Sequence, residues 1–395
     1  MTIKRGRQFL MTPGPTHVPE RVLQAMHRQA IDITGDEFPV LARGCMDDLK
    51  RVFRTDSEVF IYAANGHGAW EAAICNVLSP GDRVLLPVSG NFSESWGRMA
   101  EAFGLEVEYM PGDWRHAPDP SAIEARLAED RGHSIKAVLL VQTDTASSVT
   151  SDVAAVRRAI DAANHPALYL VDAIASMGTI DLRMDEWRID VVVSALQKAL
   201  MGPPGLSFTG ASKKALAAAE TARLPRRYWD WAQRLESENY MWFCGTGPEH
   251  LIFALRESLD MVFEETLEGA FRRHARLAEA VRLGVAHWAE AEGGVGFNAA
   301  VPEERANSVT TITVPDGFDG AALRTMCRDR FNVALGGGLG RLHGKAFRIG
   351  HMGDINEPLI LGALASVEAC LQLMDIPHQK GGVTAAIDYL AATAS

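Results

Sequence analysis

The sequence predicts an α/β protein: a large, doubly wound, mostly parallel sheet domain followed by a smaller C-terminal α+β domain. Three observations carry this. Seven short, β-rich runs alternate with helical periodicities up to about residue 211. The middle runs are almost continuously hydrophobic, as strands covered on both faces must be. After about residue 250 the rhythm changes, helical pattern dominates and strands become sparse.

The elements follow in order. Residues 1–19 are polar, then rich in proline at Pro13, Pro15 and Pro19, and read as an extended arm. A helix opens just after Pro19 in ERVLQAMHRQA. The strands of the large domain are VFIYAA (59–64), RVLLPV (83–88), LEVEYM (105–110), KAVLLVQ (136–142), ALYLVDA (167–173), DVVVSAL (190–196) and GLSFTG (205–210). Between them lie amphipathic stretches such as SDVAAVRRAIDAA, which puts Val153, Val156, Ile160 and Ala163 on one face. Helical pattern then runs from Glu249 to Glu292 with a break near Glu265. An isolated strand, SVTTITV (308–314), a helix over 319–331, a short strand, AFRIGH (346–351), and a long helix from Pro358 complete the chain. The boundaries are an arm at 1–19, a large domain at 20–262 and a small domain at 263–395, hinged around 260–270.

Composition narrows the function. The chain has 395 residues, 47% hydrophobic and 23% charged, with a net charge of −11. These are ordinary globular values. The acidic balance argues against binding to nucleic acid or to an anionic membrane, both of which need a basic surface. Five widely spread cysteines without a CxxC read as reduced thiols in a cytoplasmic protein, not as disulfides or a zinc site. The twelve histidines form no HExxH or HxH pair, so no metal is expected. MTIKRGRQFLMTPGP has no apolar stretch long enough for a secretion signal, so none is expected, and Leu359–Met374, broken by Glu368 and Gln372, is too short to span a membrane.

Ligands of open parallel sheets bind at the carboxyl ends of the strands. After the first strand comes Asn65-Gly66-His67-Gly68, leading into a helix. Glycines at such a turn expose backbone N–H groups, and the helix N-terminus adds partial positive charge, which together cradle phosphate. The motif is not GxGxxG and no acid ends the next strand, so a dinucleotide site is disfavoured. Phe92 follows the second strand, and is either a core residue or a stacking surface for a flat ring. Asp172 ends a strongly apolar strand, where a carboxylate is costly unless paired. Gln197 and Lys198 follow the next strand, so Asp172 and Lys198 should face one cleft. A carboxylate opposite a pyridine nitrogen and a lysine that bonds an aldehyde are the two groups a pyridoxal phosphate enzyme requires.

At this point the chain resembles a known family, the class V aminotransferases of pyridoxal phosphate fold type I, and within them the serine–glyoxylate and alanine–glyoxylate group. The resemblance runs through MTPGPTHVPERV, GHGAWEAA, LSPGDRVL, VRRAIDAANHPALYLVDAIAS, QKALMGPPGLSF, TARLPRRYWDW, FRIGHMGDIN and the tail GGVTAAIDYLAATA. It implies pyridoxal 5′-phosphate as cofactor and a homodimer with shared sites. Lys198 resembles the lysine that holds the cofactor and later moves a proton. Asp172 resembles the partner of the ring nitrogen. Ile174 and Phe92 match the residues on the two ring faces, and Thr145 the one at the ring hydroxyl. Gly66, His67, Gly68 and Gln197 match phosphate contacts. Thr246 matches a residue that reaches the phosphate of the partner subunit. Arg348 matches the arginine that clamps the substrate α-carboxylate, a role lysine does not fill. Gly14 lies where the family's N-terminal segment closes over substrate.

The implied reaction is transfer of the amino group of a small α-amino acid, serine or alanine type, to a 2-oxo acid such as glyoxylate, by a ping-pong mechanism. The alternatives are another donor, ureidoglycine or aspartate, or a lyase of the same fold. A cysteine desulfurase needs a mobile cysteine near the substrate, and the glycine-rich stretch 336–340 has none. A non-catalytic protein would not need Asp172, Lys198 and Arg348 together. Two departures from the family stand out. Gln142-Thr143-Asp144-Thr145 replaces a His-Asn-Glu-Thr run, and Ile33-Thr34 replaces a His-Arg pair. Gly336–Gly338 either give room near the substrate or form a turn.

Overall fold

The seven hydrophobic runs assemble into one sheet in the computed structural model, which describes residues 6–236 and 239–394. The chain first forms a short strand β1 (Phe9–Met11), then β2 (Glu58–Tyr62), β3 (Arg83–Pro87), β4 (Glu106–Met110), β5 (Ile135–Val141), β6 (Leu168–Asp172), β7 (Val191–Ala195) and β8 (Ser207–Ala211). The large sheet has the order β2-β8-β7-β6-β5-β3-β4. Strands β6 and β7 are buried at every position, as their unbroken Val-Leu runs require. Neighbours from β7 to β4 are parallel, whereas β8 runs antiparallel to both β7 and β2. The reason is local. Met201 (φ +50°) and Gly205 (φ +138°) bend the chain back directly after β7, and no helix intervenes to carry it across for a parallel return.

The small domain is built on a second sheet. It contains β9 (Gly296–Phe297), β10 (Val309–Thr313), β11 (Val333–Gly337) and β12 (Ala346–Gly350), in the order β1-β11-β12-β10-β9. Helices Leu267–Trp288, Glu357–Leu373 and Gly382–Ala392 cover it, and Trp288, Phe347, Ile349 and Leu364 are fully buried among them. The strand expected to be isolated is therefore an inner strand, β10, paired to β12 and β9. The helical stretch after Glu249 breaks at Thr266, at φ +68°, where its hydroxyl accepts the Gly269 N–H (3.0 Å) and caps the next helix.

Strands β1, β9 and β11 lie where the sequence shows no strand pattern. Strand β11 reads VALGG, and glycines weaken a strand. Packing explains them: a β-carbon on Gly336 would stand 2.7 Å from Pro13 Cδ and 3.1 Å from Arg348 Cβ. The triglycine is thus a close-approach strand rather than a mobile turn. Strand β1 belongs to the arm and pairs in parallel with β11, Phe9 opposite Val333 and Met11 opposite Leu335. The arm is therefore stitched to the small sheet before it crosses to the large domain. Among the described residues no helix is long and apolar enough to cross a membrane, and no cluster of candidate metal ligands occurs.

Candidate active site

The carboxyl ends of β3, β5, β6 and β7 open on one cavity of about 270 Å³. Nine of the twelve residues singled out from the sequence line it: Gly14, Gly66, His67, Phe92, Thr145, Asp172, Ile174, Gln197 and Lys198. Parallel strands deliver their last residues to the same edge, which is why positions so far apart in the chain meet.

Asp172 is the last residue of β6 and is 4% exposed. Its Oδ1 accepts the Ile174 N–H (2.7 Å) and its Oδ2 accepts the Trp70 indole N–H (3.0 Å). Burial pushes its carboxyl up to about 7, and the neighbouring Asp144 pushes the same way. The two hydrogen bonds and the Lys198 cation oppose this. Lys198 follows β7, and its Nζ donates to the Pro13 carbonyl (2.5 Å). Burial lowers its amine to about 8, with the Arg348 guanidinium adding and Asp172 opposing. The arm is clamped here: the Thr16 N–H donates to the Gln197 carbonyl (3.2 Å) and the Thr16 hydroxyl to the Lys198 carbonyl (3.0 Å).

The helix Gly66–Val77 starts at the cavity wall, with Asn65 as its cap accepting the His67 N–H (3.1 Å). Gly66 must be glycine, since a β-carbon would stand 2.5 Å from Ile174 Cδ1. His67 is held neutral by burial and by Lys198, and meets Trp70 edge-on at 4.7 Å. Gln197 presents a buried Oε1 with no partner, an acceptor or, with the amide turned, a donor available to a ligand.

The other three residues lie elsewhere. Gly68 does not line the cavity: its N–H is bonded to the Asn65 carbonyl (3.0 Å), and a β-carbon would stand 2.6 Å from Ala64 Cβ, so packing accounts for this glycine. Thr246 is exposed, outside the cavity of its own chain. Arg348, on β12 and 7% exposed, adjoins the cavity through Thr145, whose carbonyl accepts from Nη1 (2.9 Å), while Nε donates to the Gly337 carbonyl (2.7 Å). Burial lowers its guanidinium to about 10, which leaves it charged at neutral pH.

Some residues of the site escaped the sequence reading. Trp70 stands one helical turn after Gly66 on the same face, and that i, i+4 spacing was the available signal. Asp144 is fully buried and accepts from the Phe92, Ser93 and Ala146 N–H groups (2.8, 3.0 and 3.0 Å). It caps the helix Asn91–Ala102 because Gly90 at the cap position has no side chain. Gln142, in the same departing run, accepts from the Ser176 hydroxyl (2.6 Å). Ile33 packs against the large core.

Comparison with known proteins agrees with this geometry. The family model "Aminotransferase class-V" matches residues 8–342. A serine–glyoxylate aminotransferase of Methylorubrum extorquens is 42% identical over 98% of this chain and 97% of its own. An L-aspartate–glyoxylate aminotransferase of Paracoccus denitrificans is 39% identical over 97% and 96%. The crystal structure of a ureidoglycine–glyoxylate aminotransferase from Bacillus subtilis superimposes with a TM-score of 0.89 at 26% identity, over 99% of this chain and all of the other.

Proposed function

Since the chain belongs to the class V aminotransferases, we propose that it moves the amino group of a small α-amino acid, of serine or alanine type, to glyoxylate by a ping-pong mechanism. The observation that carries this reading is the meeting of Asp172 and Lys198 in one cavity beside a capped helix N-terminus.

The residues fit pyridoxal 5′-phosphate. A buried carboxylate whose proton affinity burial has raised calls for a cation beside it, which a protonated ring nitrogen provides. With its amide turned, the orphaned Gln197 side chain offers a donor to a phosphate, beside the N-terminus of the helix that opens at Gly66. When bound, the cofactor supplies the aldehyde that takes up nitrogen and the ring that delocalises the electron pair left by the α-proton.

The chain's own residues do the rest. Lys198 anchors the cofactor through Nζ. Once freed, the same amine carries the proton from the donor's α-carbon, and its lowered proton affinity keeps a neutral fraction present near pH 8. The Pro13 carbonyl gives the free amine a seat. Asp172 would partner the ring nitrogen and keep it cationic. Phe92, Ile174 and Thr145 line the same cavity, where the first two would confine the ring and the third would offer it a hydroxyl. Gly66, His67 and Gln197 hold the phosphate, joined by Thr246 from a second copy of the chain. Arg348 clamps the α-carboxylate, and Gly14 excludes water from above. The enzyme works as a cytoplasmic homodimer, divided into an arm (1–19), a cofactor domain (20–262) and a small domain (263–395); the break at Thr266 falls beside that last boundary.

Single-turnover spectroscopy tests this reading. Serine, alanine, aspartate and ureidoglycine are each mixed with the holoenzyme, then glyoxylate or pyruvate is added. Serine or alanine should convert the cofactor to its amino form, and glyoxylate should reverse it. Conversion by aspartate or ureidoglycine alone moves the donor to those relatives' substrates, and no conversion by any of the four ends the transaminase reading.

A further inference from the structure

We propose that Trp70 is a positioning residue for the reaction: its indole N–H holds the Asp172 carboxylate ionised and aimed at the cofactor's ring nitrogen. This rests on the function proposed above. Trp70 is 1% exposed and donates to Asp172 Oδ2 (3.0 Å), while Oδ1 is taken by the Ile174 N–H (2.7 Å). Each oxygen thus receives one donor, and both donors favour the charged form.

The balance at Asp172 is close enough for one hydrogen bond to matter. Burial and Asp144 favour the proton, and Lys198 opposes it. Of the other charged groups around the cavity, Arg348 bears on Asp144 and Lys198, and His67, against the Trp70 ring, is held neutral. Removing the indole N–H takes away one of the two hydrogen bonds that keep Asp172 charged, the other being that from the Ile174 N–H.

The indole is not free to turn away. It stacks on Trp96 at 5.8 Å and 15°, and meets His67 and Phe92 edge-on at 4.7 and 6.4 Å. One side chain therefore joins the ring-nitrogen partner, the phosphate turn and the stacking face. Its neighbour Trp96 is as deeply buried, but its own Nε1 has no hydrogen-bond partner. That contrast supplies the control.

Trp70→Phe keeps an aromatic ring and removes the donor, whereas Trp96→Phe removes an N–H that binds nothing. Affinity of the cofactor-free enzyme for pyridoxal phosphate is measured against pH. In Trp70→Phe it should fall about tenfold at pH 7, and the acid-side loss of affinity should move up by about one pH unit, because the protonated carboxyl no longer pairs with the ring. Trp96→Phe should follow the wild type. Matching behaviour of the two variants overturns the proposal while leaving the transaminase assignment intact. Failure of the wild-type apoenzyme to bind pyridoxal phosphate at any pH overturns both. A second measurement needs no Trp70 variant: of the indole N–H resonances that shift with pH in the wild-type apoenzyme, one should become pH-silent in Asp172→Asn, while the indoles bonded to other carboxylates, Trp229 to Glu71 and Trp288 to Glu368, should be unaffected by that substitution. Indole signals whose pH response is the same in the wild type and in Asp172→Asn also overturn it.

Discussion

Replacing Gly14 by alanine tests whether the arm positions the reactive amine. Gly14 has φ +106°, a conformation L residues rarely adopt, and alanine there costs about 1–3 kcal/mol in backbone strain. The added carbon would stand 2.6 Å from Lys198 Nζ, 2.7 Å from Cδ and 2.8 Å from Cε. Something must yield. The arm is held at both ends, by the pairing of β1 with β11 and by the Thr16 bonds to residues 197 and 198. The flexible lysine yields, and its amine leaves the Pro13 carbonyl, a charge-assisted bond worth about 1.5–3 kcal/mol. A displacement of about 1 Å in a reacting group costs about 100-fold in rate. Gly14→Ala should therefore lower the single-turnover rate with the donor about 100-fold, and the thermal midpoint by a few degrees, at about 1–2 °C per kcal/mol for a chain of 395 residues. Stopped-flow absorbance gives the first and thermal denaturation the second. A variant that melts earlier but turns over at the wild-type rate would refute the reasoning, since strain would then be relieved without moving the lysine.

Three further outcomes follow from the same geometry. Arg348→Lys leaves the Gly337 or Thr145 carbonyl without its donor and replaces a planar fork by a point charge. The donor kcat/KM should fall at least about 100-fold with cofactor affinity unchanged, and a loss in cofactor affinity alone would contradict the carboxylate role. Asp144→Ala strips the acceptor from three N–H groups and should cost about 3 kcal/mol in denaturant unfolding, with Asp144→Asn costing less; equal losses would show that the caps contribute little. The rate at which the apoenzyme bonds pyridoxal phosphate should rise about tenfold per pH unit up to about pH 8 and level off above it, because only the unprotonated Lys198 amine attacks an aldehyde. A rise that continues to pH 10 would mean that burial does not lower that amine.

What the sequence reveals is what a single strand or helix encodes. β5–β7 are visible because a strand covered on both faces must be apolar throughout, and Asp172 and Lys198 stand out because charge at the end of such a strand is anomalous. Strand β11 is hidden because its glycines answer to side chains on other elements, Gly336 to Pro13 and Arg348 and Gly337 to Arg324. Asp144 is hidden for a similar reason, since it caps a helix that begins at Asn91, on the far side of β4. Gly68 has a reason to be glycine that the turn pattern does not display. It stands in the expected phosphate turn, yet its close approach to Ala64 accounts for it. Periodicity reports burial, and burial alone does not specify which distant side chain satisfies a given donor.

Borohydride reduction of the holoenzyme, followed by peptide mapping, tests the central claim most directly. The account predicts that the reduced cofactor is carried on the peptide containing Lys198 and is lost in Lys198→Ala. Label on any other lysine, or label of equal yield in Lys198→Ala, would contradict it.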